Sequence, residues 1–218
     1  GNAATAIVTV ARQGVSAGII GVVGDDANGR AQRVDFMRHG VDTTYLKADP
    51  NAATRYCICL SDEETNGRAF LSPDSVSIPY PEEELDMDYL LSAKYLLLDA
   101  NTPATRKAAR AMLDNGGEVM FDASLYTPEQ EAMLPYTSIY ITSEFYWHTR
   151  YHDADIFECC RDMMAKGPHT VIFTLGSDGC AGVGPDGPFR LPCFKVEHVV
   201  DTTGCGDTFH GAYIVGLE

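Results

Sequence analysis

Residues 94–122 have the sequence KYLLLDANTPATRKAARAMLDNGGEVMFD. The apolar runs at 94–99 and 118–122 have the length and composition of buried strands. Between them, residues 103–114 carry apolar side chains at helical spacing, and Gly116 and Gly117 follow where such a helix would end. A strand, a helix and a second strand in this order indicate a βαβ unit, whose two strands are parallel.

The same alternation continues on both sides of this unit. The predicted elements after it are a short helix near 128–134, a strand at 138–142, a helix at 153–166, a strand at 170–175 and a hairpin of 180–183 with 188–194. The predicted elements before it are a helix at 2–13, a strand at 17–23, a helix at 27–39, strands at 54–60 and 68–72 around a polar turn at 62–67, and a helix at 82–92. We therefore expect one α/β domain, residues 1–218, with a mostly parallel sheet.

The composition excludes several classes of partner. Sixteen Lys and Arg residues stand against 31 Asp and Glu, which gives a net charge of −15. So acidic a chain is poorly suited to nucleic acid or to an anionic membrane, because both are polyanions. No apolar stretch approaches the ~20 residues of a spanning helix, and no signal peptide is recognised. Seven cysteines without a CxxC pair are typical of a reducing compartment, so we expect a cytoplasmic location.

A segment near the end of the chain carries the residues best suited to catalysis. It is Asp201-Thr202-Thr203-Gly204-Cys205-Gly206-Asp207, between a strand-like run at 194–200 and a helix expected to begin near Gly204. The first N–H groups of a helix lack intrahelical acceptors, so those of Gly204, Cys205 and Gly206 can hold an anion. Asp207 can act there as a general base toward an attacking hydroxyl. Spacing alone equally fits an Asp that only satisfies the helix N-terminus.

Further segments are candidate ligand contacts. Thr174-Leu175-Gly176-Ser177-Asp178-Gly179 follows a predicted parallel strand, where ligands of open α/β sheets bind, although the pattern alone fits a strand-to-hairpin turn better. Residues 21–29 resemble a dinucleotide fingerprint only loosely, and the chain has no P-loop motif, so neither a Rossmann dehydrogenase nor a P-loop kinase is supported. Asn101, at the carboxyl edge of the strand 94–99, is either a substrate contact or the N-cap of the next helix.

Together these segments resemble the ribokinase-like (PfkB) family of carbohydrate kinases. Residues 201–207 are similar to its DTxGAGD signature, and residues 174–179 to its nucleotide-binding TLGxxG turn. Residues 24–29 with 40–43 are similar to its GxDxxG…GVDT stretch. Residues 1–4 with 11–14 are similar to the end of its amino-terminal GGN…ARLG signature. The order and spacing match across nearly the whole chain.

The resemblance implies a fold and a reaction. The fold would be a three-layer α/β/α sandwich, with a small β lid formed by about residues 43–72. The reaction would be transfer of the γ-phosphoryl group of ATP to a primary hydroxyl of a sugar such as fructose or ribose. Asp207 would be the general base, and Gly204, Cys205 and Gly206 would form the anion hole. Family lids often pair, so a homodimer through the lid is also expected.

The resemblance also assigns ligand contacts. ATP would be held by Thr174, Gly176, Ser177, Gly179 and Ser143, and the sugar by Gly1, Asn2, Thr5 and Asp207. Asn101 is a further candidate sugar contact, because of its place at the end of the strand 94–99 and not because of the resemblance. Asp201 and Thr203 lie where some members bind a monovalent cation, so K⁺ is a candidate ligand. Glu144 is the candidate member of a Mg²⁺ network.

Some positions depart from the family pattern. Thr5 stands where the family usually has the second Asn of its amino-terminal signature. The family's NxxE metal-phosphate motif falls on Ser143-Glu144-Phe145-Tyr146, so its Asn and second Glu are missing. Relative to the family fold, we also expect the domain to lack the first strand and the carboxyl-terminal helices.

Two alternatives to a fructose- or ribose-type kinase remain open. A nucleoside kinase or a ketodeoxy-sugar-acid kinase would have the same fold and the same catalytic Asp. A non-catalytic relative that binds a sugar or nucleotide as a sensor is favoured by Ser143 and Tyr146 and opposed by the intact Asp207.

Overall fold

The computed structural model describes residues 1–62, 68–72 and 78–218. They divide into two compact units, the first formed by residues 1–80 and 196–218 and the second by residues 81–195. Most of the predicted turn at 62–67 lies outside the described residues. Within the described ranges, no helix is both long and apolar enough to cross a membrane.

The helices and strands of the described residues follow in chain order. Residues 1–80 contain α1 (Asn2–Arg12), β1 (Ala17–Gly18), β2 (Gly21–Gly24), α2 (Ala27–Arg38), β3 (Val41–Asp42), β4 (Leu46–Asp49), β5 (Ile58–Ser61) and β6 (Arg68–Leu71). Residues 81–195 contain α3 (Met87–Leu91), β7 (Tyr95–Leu98), α4 (Pro103–Asp114), β8 (Glu118–Ala123), α5 (Pro128–Glu131), β9 (Ile139–Ser143), α6 (Glu144–Tyr151), α7 (Ile156–Met164), β10 (Thr170–Thr174), β11 (Cys180–Gly184) and β12 (Gly187–Leu191). The last helix is α8 (Cys205–Leu217).

The first unit contains short paired strands and two helices in close contact. β1 pairs with β3 and β2 with β4, both parallel, whereas β5 and β6 form an antiparallel pair. The strand predicted at 17–23 is therefore two strands, because its halves pair with different partners. Helices α1 and α8 approach closely at Gly211, where a Cβ atom would lie 2.4 Å from the carbonyl oxygen of Ala6.

The second unit is built on a six-stranded sheet in the order β12-β11-β10-β9-β8-β7. Strands β7 to β10 are parallel, and β11 and β12 are antiparallel additions that form a hairpin. The largest side chains of its core are fully buried, among them Phe121, Tyr140 and Phe173. The βαβ unit predicted at 94–122 is confirmed, and α4 has the predicted bounds because Thr102 caps its start through the Thr105 N–H at 3.1 Å.

Several predicted elements differ in the structure. The helix predicted at 82–92 is a 3₁₀ turn at Glu82–Glu84 followed by α3, because the Asp86 carboxylate caps the Tyr89 N–H at 2.9 Å and starts a new helix. The strand-like run at 194–200 forms no strand, and Phe194 is 93% exposed. The helix α6 was not predicted from the sequence.

Candidate active site

The first turn of α8 has the local geometry of an anion-binding helix start. Gly204 is the N-cap and has φ 79°, in the left-handed region that glycine tolerates. The Thr208 N–H donates to Gly204 O at 2.8 Å, and the Cys205 N–H donates to Thr202 O at 3.2 Å. In the described part of the chain, the Gly206 N–H has no acceptor. Of the expected anion-hole donors, Cys205 is thus already engaged and Gly206 is available.

Asp207 is the acidic residue of this first turn and is partly exposed. One turn further, His210 is 4% exposed, and its Nδ1 lies 2.7 Å from Gly206 O. A carbonyl oxygen only accepts, so Nδ1 carries the proton in this bond. The bond holds the Gly206 carbonyl in the helix, so the N-terminal peptides of α8 are fixed in place. No cluster of three metal-ligating side chains occurs among the described residues.

The segment before α8 has hydrogen bonds between its own residues. Asp201 Oδ1 accepts hydrogen bonds from the Thr203 N–H at 2.8 Å and from the Thr203 hydroxyl at 2.7 Å. Both residues are exposed. Cys59 on β5 approaches the same point, with 3.7 Å between its Sγ and Thr203 Oγ1. One face of the β5–β6 hairpin therefore lies beside the start of α8.

The start of α1 lies beside the start of α8. A Cβ atom on Gly204 would be 3.5 Å from Cγ2 of Thr5. Thr5 in turn donates its N–H to Gly1 O at 3.2 Å. The structure thus brings the predicted sugar-binding residues Gly1, Asn2 and Thr5, which share one helical turn, to the N-terminus that carries Asp207.

A cavity of about 160 Å³ borders Gly1, at the start of α1. It is lined by Gly1, Val22, Val23, Gly24, Gln32, Ala53, Thr54, Arg55 and Ile78. Thr54, 6% exposed, fixes one wall, because its hydroxyl accepts the Gly24 N–H at 2.8 Å and its own N–H donates to Asp26 Oδ2 at 2.8 Å. Thr54, predicted as the first residue of a strand at 54–60, is thus held by Gly24 and Asp26, and β5 begins at Ile58.

Asp26 holds this wall of the cavity through its carboxylate, and the pH dependence of stability tests that role. The N–H groups of Thr54 and Gly29 lower the pKa of Asp26 to about 2. Because this pKa is below the value of ~3.9 in the unfolded chain, ionised Asp26 stabilises the fold at any pH above ~3.9. That stabilisation is lost as the pH falls from there toward 2. We expect Asp26→Asn to lower the urea midpoint at pH 7, and the difference from wild type to shrink between pH 4 and pH 2. Asp186→Asn, at an exposed position, should leave the urea midpoint unchanged at both pH 7 and pH 2. If the urea midpoint of Asp26→Asn stays below that of wild type by the same amount down to pH 2, the stabilising role of ionised Asp26 is wrong.

The predicted nucleotide turn lies at the carboxyl end of β10, in the second unit. Gly176–Asp178 form a single 3₁₀ turn, and Gly176 and Gly179 have φ values of 55° and 85°. The Leu175 N–H donates to Gly179 O at 2.8 Å and closes the turn. A Cβ on Gly179 would lie 2.0 Å from Leu191 O, so this glycine is needed for the close approach of the chain after β12. Thr174 donates its hydroxyl to Thr142 O at 3.2 Å, and Ser177 is exposed.

The departures at the family's metal motif are located at the start of α6, beside this turn. Ser143 caps α6 through the Phe145 N–H at 3.2 Å and donates its hydroxyl to Ser124 O at 2.6 Å. Glu144 Oε1 lies 3.4 Å from where a Cβ of Gly176 would be. The structure therefore places one carboxylate of this segment at the turn.

Tyr146 has a different position. It is fully buried among aromatic rings, with ring centroids 5.3 Å from Tyr126 and 6.5 Å from Phe173. Burial raises the pKa of its hydroxyl, so Tyr146 is a neutral core residue. The side chain that replaces the family's second Glu has thus become part of the core, which the sequence pattern did not reveal.

Asn101 has a structural role in the second unit. Its Nδ2 donates to Glu129 O at 2.6 Å, and its Oδ1 accepts from Arg106. The N-cap of α4 is Thr102, so the alternative that Asn101 caps this helix is wrong. The predicted sugar contact of Asn101 stays a prediction.

Three features described above are typical of a ribokinase-like phosphotransferase. They are a mixed β-sheet flanked by helices, a glycine turn at the carboxyl end of a parallel strand, and a helix N-terminus that carries a carboxylate. The chain belongs to the PfkB family of carbohydrate kinases, since the family model "pfkB family carbohydrate kinase" matches residues 1–218. The predicted family, fold class and enzyme class, an ATP-dependent carbohydrate kinase, are thereby confirmed.

Known relatives span the same range of the chain. The aminoimidazole riboside kinase of Salmonella typhimurium is 30% identical over 238 residues, which cover 100% of this chain and 73% of the relative. A 5-dehydro-2-deoxygluconokinase of Shouchella clausii is 28% identical, with 100% and 73% covered. An ATP-dependent ribose-1-phosphate kinase of Halopiger xanaduensis is 29% identical, with 98% and 71% covered.

A solved structure supports the fold and the nucleotide. A protein from E. coli, crystallised in complex with ATP and Mg²⁺, superposes with a TM-score of 0.86 at 25% identity and covers 100% of this chain and 75% of its own. This neighbour and the family support ATP and Mg²⁺ as the cofactors of the class. K⁺ stays a prediction.

Proposed function

We propose that this chain transfers the γ-phosphoryl group of ATP to a primary hydroxyl of a sugar or sugar-like substrate, with Asp207 as the general base. The observation that carries the proposal is the start of α8, where a carboxylate and the available Gly206 N–H occupy the same helical turn. The predicted sugar-binding turn of α1 lies directly beside it, at Thr5.

The proposed roles follow from charge. Asp207 accepts the proton of the sugar hydroxyl as the oxygen attacks phosphorus, because a free alcohol is a weak nucleophile. The Gly206 N–H and the dipole of α8 stabilise the negative charge on the transferring group. One preorganised donor of this kind is worth about 3–4 kcal/mol in the transition state. A chain of net charge −15 thus relies on local N–H groups rather than on a basic surface to attract phosphate.

The nucleotide contacts belong to the same proposal. The turn formed by Thr174, Gly176, Ser177 and Gly179 would hold ATP, with Ser143 beside it. For Mg²⁺, a carboxylate oxygen is a suitable ligand, and Glu144 offers one at this turn whereas Tyr146 does not. When bound, Mg²⁺ neutralises charge on the phosphate oxygens. Asp201 and Thr203 remain the proposed residues for K⁺.

The names of the relatives indicate which classes of substrate to consider. Their names specify a riboside, a deoxygluconate and a ribose phosphate as substrates. We therefore keep the nucleoside and ketodeoxy-sugar-acid alternatives within the proposal. A non-catalytic sugar- or nucleotide-binding protein is the second candidate, and the observation in its favour is the buried Tyr146 at the position of the family's Glu. The predicted cytoplasmic location stays a prediction.

ADP release separates the two candidates. We would measure it with ATP and Mg²⁺ across ribose, fructose, aminoimidazole riboside, 2-keto-3-deoxygluconate and ribose 1-phosphate. A kinase releases ADP with at least one of them in proportion to the sugar phosphate formed. A sensor binds ATP or a sugar and releases no ADP above the rate without sugar.

The lid supports a further part of the proposal, a homodimer. In the β5–β6 hairpin, Ile58 pairs with Leu71 and Leu60 with Ala69, so these side chains share a face opposite to that of Cys59. Ile58, Leu60 and Leu71 are 51–55% exposed. Since Cys59 lies at Thr203, this apolar face is turned away from the start of α8, and a second copy of the chain would cover it.

A charge on this face should break the dimer. We expect wild type to sediment as a dimer at micromolar concentration, and Leu60→Asp to sediment as a monomer, because a carboxylate cannot be buried unpaired in an apolar interface. Val34→Asp, at a 58% exposed position on α2, is the matched control and should remain dimeric. A monomeric wild type, or a dimeric Leu60→Asp, would contradict the proposed interface.

A further inference from the structure

An arginine, Arg55, lines the cavity that begins at Gly1. Arg55 is exposed and forms part of the wall together with Gly24 and Thr54. Among the described residues, no carboxylate and no carbonyl accepts a hydrogen bond from its guanidinium. The guanidinium is therefore available to a ligand in the cavity.

Arg55 is a positive charge in an acidic chain. Acidic residues outnumber basic ones by 31 to 16. The neighbouring carboxylates are occupied elsewhere, because Asp26 accepts the N–H groups of Gly29 and Thr54, and Asp25 pairs with Arg30 at 3.0 Å. The positive charge at the cavity is thus not neutralised by these two nearby acids.

The backbone at Arg55 is held in place. The preceding residue, Thr54, is bonded to Gly24 and to Asp26 at 2.8 Å each. A Cβ on Gly24 would lie 2.3 Å from Ala52 O, so the segment lies directly against the end of β2. The side chain thus extends from a fixed point, which limits the entropy lost when it binds an anion.

Two contacts connect the cavity to the proposed reaction centre. Gly1 lines the cavity and accepts the N–H of Thr5, and Thr5 contacts the position of a Gly204 Cβ. A sugar that occupies the cavity would therefore have one end near Arg55 and the other toward the start of α8. The acceptor hydroxyl belongs at the end near Asp207.

We infer that Arg55 selects a sugar substrate with an anionic group, a carboxylate or a phosphate, at the end remote from the phosphorylated hydroxyl. The inference rests on the proposed function and names its substrate class. A planar guanidinium binds either group through two parallel hydrogen bonds, which a neutral hydroxyl cannot match. Hydrogen bonds to charged groups account for roughly a tenfold to hundredfold preference.

The test compares charged and neutral sugars in wild type and in Arg55→Gln. Initial rates would be measured with 2-keto-3-deoxygluconate against fructose, and with ribose 1-phosphate against ribose. We expect wild type to favour at least one anionic sugar in kcat/KM by tenfold or more, and Arg55→Gln to lose roughly tenfold to a hundredfold on that sugar alone. The KM for ATP and the rate with the neutral sugar should be unchanged. Arg38→Gln, which removes the same charge from an exposed position on α2, should behave as wild type.

The comparison with 2-keto-3-deoxygluconate tests a carboxylate and the comparison with ribose 1-phosphate tests a phosphate, so together they identify which anion is bound. Arg55→Lys should retain part of the preference, since it keeps the charge and loses the paired geometry. Equal kcat/KM for charged and neutral sugars, or an Arg55→Gln effect on the KM for ATP instead, would overturn the inference while the kinase assignment stands.

Failure of the proposed function would be recognised separately. In that case no sugar would be phosphorylated and Asp207→Asn would not differ from wild type. Calorimetric binding of the same sugars without ATP then still decides the role of Arg55. Tighter binding of an anionic sugar that Arg55→Gln abolishes supports the role, and equal binding of charged and neutral sugars overturns it.

Discussion

Asp207→Asn is expected to lower kcat by about 10²–10⁴-fold, the usual contribution of a general base. The amide has nearly the same shape as the carboxylate but cannot accept the proton of the sugar hydroxyl. Asparagine is also a good residue near a helix N-terminus, so the stability of α8 should change little. We expect the KM values for sugar and ATP to stay within a few-fold of wild type.

The measurement is a steady-state kinase assay with thermal unfolding of the same samples. Asp186→Asn, at an exposed position in the β11–β12 hairpin, removes one carboxylate elsewhere and should leave kcat unchanged. If Asp207→Asn keeps more than half of the wild-type kcat at equal stability, Asp207 is not the base. It would then have only the structural role that its spacing equally allowed.

The second large effect concerns the contact of α1 with α8. Gly211→Ala places a Cβ where the structure leaves 2.4 Å to Ala6 O and 2.8 Å to Thr9 Cβ. Both neighbours belong to the rigid helix α1, so the helices must separate. Overpacking of this kind costs about 1–3 kcal/mol, and we expect a loss at the upper end of that range because one contact is with backbone.

A matched glycine on the same helix provides the control. A Cβ at Gly216 would meet no atom within 4 Å, so Gly216→Ala should stabilise the chain by about 0.5–1 kcal/mol through helix propensity. Urea unfolding monitored by circular dichroism measures both changes. A Gly211→Ala variant as stable as wild type would show that α1 and α8 are not in this contact. Separation of the helices should also lower kcat, because Thr5 would move away from Gly204.

The sheet of the second unit was largely predictable from the sequence. Parallel strands buried on both faces appear as continuous apolar runs, and the α4 bounds followed from Pro103 at the start and the glycines at the end. The prediction was wrong where a local cap competed with the general pattern, as at Asp86, which divides the expected helix at 82–92. Helix α6 was missed because its aromatic residues do not show a clear helical period.

The candidate site was predictable only in part. The helix start with Asp207 could be located because glycine, a carboxylate and an apolar helix follow one another in sequence. The wall formed by Asp26 and Thr54 could not, because 28 residues separate the two partners. The burial of Tyr146 likewise depends on rings contributed by other elements, such as Phe173 on β10. Contacts between distant segments decide these features, and no local pattern records them.

In the proposed mechanism, the carboxylate of Asp207 activates a sugar hydroxyl for phosphoryl transfer. The most direct test follows labelled γ-phosphate from ATP into sugar, with wild type and Asp207→Asn compared at equal concentration and saturating substrates. We expect labelled sugar phosphate with wild type and at least a hundredfold less with Asp207→Asn, at unchanged stability. Equal labelling by both proteins, or binding of ATP and sugar by wild type without any transfer of label, would contradict it.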